Sequence, residues 1–223
     1  MDWPALLLSL ELAGATIAVL LPAGIWLGRA LAWRQFRGKA LVESLLALPL
    51  ILPPTVLGFY LLVAMGGASG LGRAYSAMTG RTLTFSFEGL LVASVVFNVP
   101  FAVQPIQRAF EAVAPEVREA ALVCGMSRWR LLRRIEIPLA WPGILSAAVL
   151  MFAHTLGEFG VVLMVGGNIP GETRTIAIAI YDRVQAFDTG AAGVMSAILL
   201  FVSLGAITLS YLTASRFGGL RRG

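Results

Sequence analysis

Five long apolar runs divide this sequence, and each is long enough to cross a membrane as a helix, which takes about 20 residues. The chain is 58% hydrophobic and only 13% charged, whereas roughly a quarter of a soluble domain is charged. The sequence therefore predicts an all-α integral membrane protein that forms one domain over 1–223, with about five transmembrane helices. The predicted spans are 5–28, 41–65, 87–107, 141–165 and 189–215.

A polar, arginine-rich segment, 108–140, separates the third and fourth runs. Proline suits a first helical position and glycine a left-handed helix end, so a short helix is predicted from Pro115 to about Gly125. Ser127 can cap a second helix, which Pro138 would stop. Two short helices at an angle, one with a small-residue face and the other basic, are suited to docking on a partner protein.

Positive charge is distributed unequally between the segments that connect the spans. Segments 29–39, 108–134 and 216–222 carry 13 Lys and Arg residues, whereas the alternate segments carry four. Lys and Arg accumulate on the cytoplasmic side of membranes, so the 108–140 loop and the C-terminus are expected in the cytoplasm and the N-terminus outside. Arginines placed between apolar runs also argue against nucleic-acid binding.

Two regions leave the topology open. Pro49, Pro53 and Pro54 interrupt the second run, and such a break survives in a membrane only where protein or a watery cavity satisfies the freed carbonyls. This favours a span that lines a cavity, although a packed structural kink is an equal alternative. Segment 168–187 predicts an amphipathic helix at the outer surface. A sixth short span is the alternative there, and Thr175–Ile180 also alternates like a strand.

The polar loop carries a sequence signature. Glu119-Ala120-Ala121 is followed after three residues by Gly125 and after nine more by Ile135, and Ile137-Pro138 closes the pattern. This spacing resembles the EAA loop of ABC importer permeases, and it departs from that pattern at Ile137, where leucine is usual. The resemblance implies a cytoplasmic coupling helix that docks in a cleft of a separate ATP-hydrolysing subunit; an ordinary amphipathic loop is the alternative. The expected coupling residues are Glu119, Ala120, Ala121, Gly125, Arg128, Ile135 and Pro138.

Further blocks resemble a narrower group. The proline-rich block 48–60, Gly157-Glu158-Phe159-Gly160 and the block 168–175 look like the molybdate-importing ABC permeases, and the similarity extends over nearly the whole chain. The resemblance implies an inner-membrane homodimer, two ATP-binding subunits on its cytoplasmic side and a periplasmic oxyanion-binding protein outside. Any ATP–Mg is then expected in the ATP-binding subunits, with no cofactor in this chain.

The chain lacks the motifs of an enzyme. A phosphate-binding loop needs glycines and a lysine followed by Ser or Thr, but around Lys39 the first-glycine position is Trp33 and the Ser/Thr position is Ala40. One histidine and one cysteine cannot build a metal site by themselves. We therefore expect no catalytic, cofactor or metal residues, and no ATP hydrolysis by this chain.

Polar side chains inside the apolar runs are costly and often functional. For Glu11 we expect a structural role, where the first helix wraps its neighbours. For His154 and Glu158 we also expect a structural role, either as a hydrogen-bonded i, i+4 pair or near the outer interface. Residues that are polar or that break a helix within the apolar runs are candidates for lining a translocation path, although serine in a membrane span is more often found in helix–helix contacts. These candidates are Pro53, Pro54, Asn98, Glu158, Ser196 and Ser203.

Other functions stay open at this point. Tungstate, sulfate and thiosulfate resemble molybdate as tetrahedral dianions, so a sulfate/thiosulfate permease is the nearest alternative. A self-contained secondary carrier or channel would show inverted repeats or several intramembrane charges, and we find neither. A purely structural membrane scaffold is a further alternative.

Overall fold

A computed structural model describes residues 1–218, and its regular structure in that range is helical. Arg221 and Arg222, which entered the charge comparison, lie outside the described residues. Eleven helices occur within 1–218. They are α1 (Trp3–Trp33), α2 (Lys39–Ile51), α3 (Pro54–Met65), α4 (Gly70–Thr79), α5 (Phe87–Glu111), α6 (Pro115–Val123), α7 (Arg128–Leu131), α8 (Ile137–Gly157), α9 (Gly160–Gly166), α10 (Ile176–Gln185) and α11 (Thr189–Gly218).

Four apolar helices in the described range are long enough to cross a membrane: α1, α5, the continuous stretch Arg128–Gly157, and α11. A fifth candidate is the pair α2 and α3, which meet at a 109° bend around Pro53. The predicted all-α membrane fold is therefore confirmed. The second run, 41–65, breaks sharply at the prolines noted in the sequence, because proline at 53 and 54 removes backbone donors.

Small residues bring α1, α5 and α8 close together. A Cβ at Gly28 of α1 would lie 2.9 Å from the Gln107 backbone nitrogen of α5, and a Cβ at Gly143 of α8 would overlap the Ala109 side chain of α5. Lipid is as apolar as a helix face, so this close van der Waals packing, rather than the hydrophobic effect, stabilises helix pairs in a membrane.

The fourth span differs from its predicted range, 141–165. Pro138 does not end the preceding helix, because a π-helical turn at Leu132–Glu136 leads into α8. In this turn the Ile137 N–H donates to the Leu132 carbonyl, five residues back, a register that helps to accommodate a residue with no N–H of its own. Beyond Gly157 the chain breaks, and 160–166 form the separate short helix α9.

The segment after α9, expected at the outer surface, folds as the helix α10. Its ten residues would span about 15 Å at 1.5 Å per residue, half of a hydrocarbon core. Thr175–Ile180 is not a strand, since α10 begins at Ile176. The buried side is Ile176, Ile178 and Ala179, whereas Phe187, the last residue of the predicted amphipathic segment 168–187, is 91% exposed.

Candidate functional site

The loop between α5 and α8 folds into two short helices joined at Gly125. Gly125 has a φ of +78°, and the Met126 N–H donates to the Ala121 carbonyl at 3.1 Å, which closes α6 with a left-handed cap as predicted. The Ser127 hydroxyl accepts from the Arg130 N–H at 3.4 Å and begins α7. These two caps set the direction of α6 relative to the span that follows.

Most of α6 faces away from the helix bundle. Within Pro115–Val123, Ala121 is the one buried residue, while Glu119 and Ala120 are exposed and Val123 is 88% exposed. The apolar face expected from the sequence is therefore largely uncovered in this chain. Such a face on a short helix can be buried by a partner protein.

The seven residues predicted from the loop signature lie along one continuous segment but in two environments. Five of them surround the turn between α6 and α7, where all but Ala121 are exposed. Ile135 is half-buried in the π-helical turn, and Pro138 is exposed in the first turn of α8. The signature thus covers both the outward helix and its connection to the membrane span.

Sequence inspection missed the most buried charge of this region. The Glu136 side chain is fully buried, and Arg29 of α1 and Arg118 of α6 each donate to one of its carboxylate oxygens. The Arg118 Nε lies 2.7 Å from Oε1. Arg118 also stacks on Trp33 at the end of α1, with 3.8 Å between the guanidinium carbon and the ring centroid. An acid in the middle of an arginine-rich sequence is the one signal that could have suggested this.

Exposed arginines cover α7 and the turn after it. Arg128, Arg130, Arg133 and Arg134 are exposed, and Arg133 lies 5.7 Å from the ring centroid of Trp129. Because Trp and Arg are favoured at membrane interfaces and on cytoplasmic loops, this basic surface is consistent with the edge of a bilayer.

A buried polar cluster joins α1, α5 and α8 within the bundle. The Asn98 amide donates to the Ser94 carbonyl at 2.8 Å and to the Thr155 hydroxyl at 3.1 Å, and the Thr16 hydroxyl donates to Ser94 at 3.1 Å. The His154 Nδ1 lies 3.1 Å from the Asn98 Oδ1. Interhelical hydrogen bonds of this kind hold membrane helices together, so Asn98 is a packing residue in this conformation.

Glu158 lies next to this cluster, at the break between α8 and α9, and is 4% exposed. Neither carboxylate oxygen of Glu158 has a hydrogen-bond partner among the described residues. The hydrogen-bonded His154–Glu158 pair, one of the two structural alternatives, is therefore wrong, because His154 bonds Asn98 instead. A cavity of about 620 Å³ is lined by both side chains and by Pro54 and Thr55 at the start of α3.

The other path candidates are not gathered at one place. Pro53 and Pro54 are exposed at the α2–α3 bend, while Ser196 is exposed and Ser203 half-buried on α11. Glu11, expected to wrap against neighbouring helices, is instead exposed on α1 and lines a separate cavity with Glu88. The structure brings Pro54 and Glu158 to one cavity, with Asn98 one hydrogen bond away through His154.

Comparison with protein families gives one match over most of the chain. Residues 21–216 match the model for the binding-protein-dependent transport system inner membrane component.

Characterised relatives are similar over most of their length. The molybdenum transport system permease protein ModB of Azotobacter vinelandii is 48% identical over 187 residues, which cover 84% of this chain and 83% of the relative. The ModB protein of Escherichia coli K12 is 40% identical over 208 residues, or 93% and 90% of the two chains. The sulfate transport system permease protein CysT of Escherichia coli K12 is 31% identical over 195 residues, or 86% and 70%.

Solved structures support the fold. A chain from the crystal structure of a bacterial ABC transporter that imports alginate superimposes with a TM-score of 0.77 at 18% identity, covering 96% of this chain and 78% of the other. The same transporter in complex with its alginate-pentasaccharide-bound periplasmic protein gives a TM-score of 0.75. At this identity the likeness concerns the fold alone.

Proposed function

This chain belongs to the family of binding-protein-dependent transport system inner membrane components, and we propose that it is the permease subunit of an ATP-driven ABC importer for molybdate. The observation that carries the substrate assignment is the identity of 48% and 40% to two molybdenum permeases over most of the chain. The sulfate permease CysT is more distant, at 31%. The chain is a multi-pass membrane protein, and its proposed location is the bacterial inner membrane.

The α6 helix is proposed to couple this chain to a separate ATP-binding subunit. Its exposed residues, among them Glu119, Ala120 and Val123, are suited to burial in a cleft of such a partner. Glu116 and Glu119 place negative charge on the same short helix, so a basic cleft would complement it. ATP–Mg would be bound by that subunit, because the sequence here offers no phosphate-binding loop.

The assembly is proposed to contain two copies of this chain, two ATP-binding subunits and one periplasmic oxyanion-binding protein. The excess of Lys and Arg on the α6 side favours a cytoplasmic position for this loop and an external N-terminus. The periplasmic complex of the alginate transporter, which shares the fold, is consistent with an external docking protein.

Transport would follow from two states of the helix bundle. ATP binding closes the two ATP-binding subunits and draws the two α6 helices together, and the bundle then changes from inward-open to outward-open. The docked binding protein releases its oxyanion into a path between the two permease chains. Such a switch is driven by a ligand bound elsewhere on the assembly.

The oxyanion path is proposed to pass the α2–α3 bend and the cavity at Glu158, with α11 contributing Ser196 and Ser203. A broken helix is tolerated at membrane depth where it lines a cavity, and Pro54 and Thr55, just after the 109° bend, line the cavity at Glu158. An ionised Glu158 would repel a dianion, so we assign it a place beside the path rather than a ligand role. Asn98 is proposed to join the path only after the bundle rearranges, since it is fully buried here.

A sulfate or thiosulfate permease is the second candidate, favoured by the 31% identity to CysT over 86% of this chain. The two candidates differ in what the complete transporter accumulates. Purified complex in proteoliposomes, with binding protein outside and ATP inside, should take up labelled molybdate in the presence of excess sulfate. Uptake abolished by sulfate would assign the sulfate class, and uptake without an ATP-binding subunit would refute the importer assignment.

A further inference from the structure

The carboxylate of Glu136 links three parts of the chain that are far apart in sequence. Its two oxygens accept from Arg29 of α1 and from Arg118 of α6, while Glu136 itself is the last residue of the π-helical turn that leads into α8. The side chain is fully buried and its two partners are 27% and 22% exposed. The Glu136 carboxylate therefore connects the outward helix α6 with the membrane helices α1 and α8.

This connection matters because α6 has little other contact with the bundle. Ala121 is its one buried residue within Pro115–Val123. Besides the chain itself, the described attachment of α6 to α1 is Arg118, which bonds Glu136 and stacks on Trp33. A guanidinium can do both at once because it is planar and donates from its edge.

The two ion pairs of Glu136 favour movement of α6, the end of α1 and the start of α8 as one unit. A buried carboxylate is stable only while it is paired and hydrogen-bonded, and removal of either arginine leaves one of the two Glu136 oxygens without its donor. Glu136 therefore resists separation from either arginine, and a displacement of α6 would displace the end of α1 and the start of α8 with it. The Arg108–Glu111 ion pair differs from the pairs of Glu136, because it joins two residues of the same helix turn and its arginine side chain is 82% exposed.

We propose that Glu136 is a positioning residue that transmits the movement of α6 to α1 and α8 through Arg118 and Arg29. This inference rests on the proposed function, since it assumes that α6 is moved by an ATP-binding subunit. It predicts that the Arg118–Glu136 contact determines how much transport accompanies each ATP hydrolysed, not whether ATP is hydrolysed.

The test is Arg118→Gln in the complete reconstituted transporter, with Arg108→Gln as the matched control. Arg118→Gln keeps the Arg29–Glu136 pair, so the buried carboxylate retains one cation. The readouts are assembly with the ATP-binding subunit, thermal stability, ATP hydrolysis, and anion uptake per ATP. We expect Arg118→Gln to assemble and hydrolyse ATP while its uptake per ATP falls about ten-fold, within the usual range of coupling energies. Arg108→Gln should retain the wild-type ratio.

A second variant, Arg118→Lys, keeps the charge but loses the stacked, edge-on geometry, and should give an intermediate ratio. A wild-type uptake ratio in Arg118→Gln would overturn the proposal. Loss of assembly or stability would assign the contact to folding and would overturn it as well. A wild-type transporter that accumulates sulfate instead of molybdate would refute the proposed substrate, but the variant-to-wild-type ratio for that anion would still test Glu136.

Discussion

Replacement of Gly125 by alanine tests the coupling loop with the smallest available change. Gly125 has a φ of +78°, and a Cβ added there would have no neighbour within 4 Å. The cost is therefore one of backbone conformation, roughly 1–2 kcal/mol for an L-residue in the left-handed region. A cost of that size lowers the ratio of the native turn to its alternative conformations by a factor of about 5 to 30. The angle between α6 and α7 would then be held less firmly.

The assay is initial molybdate uptake by proteoliposomes that contain the complete transporter, with ATP hydrolysis measured in parallel. Gly80→Ala is the matched control, because Gly80 ends α4 with a φ of +71° and equally open space around it. We expect Gly125→Ala to reduce uptake several-fold and Gly80→Ala to leave it nearly unchanged. Gly125→Asn should recover part of the loss, since asparagine tolerates this conformation. Equal uptake by the two alanine variants would refute the reasoning.

Two further changes separate coupling from packing. The double change Glu119→Arg with Gly125→Asp should abolish transport while assembly and ATP hydrolysis by the partner subunit stay normal; uptake at the wild-type rate would contradict a coupling role for this loop. Gly143→Ala should lower the thermal unfolding midpoint of the purified complex, since its Cβ would overlap Ala109 of α5. Gly14→Ala, where nothing lies within 4 Å, is the control. An equal midpoint for the two variants would show that the α5–α8 contact can adjust freely.

Local backbone structure was predictable from the sequence where one or two residues determine it. Pro115, Gly125 and Ser127 each act on the backbone beside them, and the structure has the expected helix start, left-handed turn and cap at these positions. The membrane-spanning helices were equally predictable from the long apolar runs, because the thickness of the hydrocarbon core sets the length of a helix that crosses it. These two kinds of information were sufficient for the all-α membrane fold.

The parts that were not predictable depend on contacts between distant residues. Glu136 and Arg29 are 107 positions apart, and no periodicity in the sequence relates them. His154 was expected to pair with Glu158 on its own helix, but Asn98 of α5 competes for it. Pro138 was expected to stop a helix, yet the π-helical turn before it allows the helix to continue. In each case tertiary packing or an alternative backbone register decided against the local rule.

Accessibility of Cys124 tests the central claim most directly. Cys124 is the single cysteine of the chain and is exposed at the end of α6, so a membrane-impermeant maleimide reports which side of the membrane this helix occupies. We predict that inside-out membrane vesicles are labelled, that intact spheroplasts are not, and that addition of the ATP-binding subunit protects the thiol. Labelling of intact spheroplasts would place α6 outside and contradict the proposal that a cytoplasmic ATPase drives this chain.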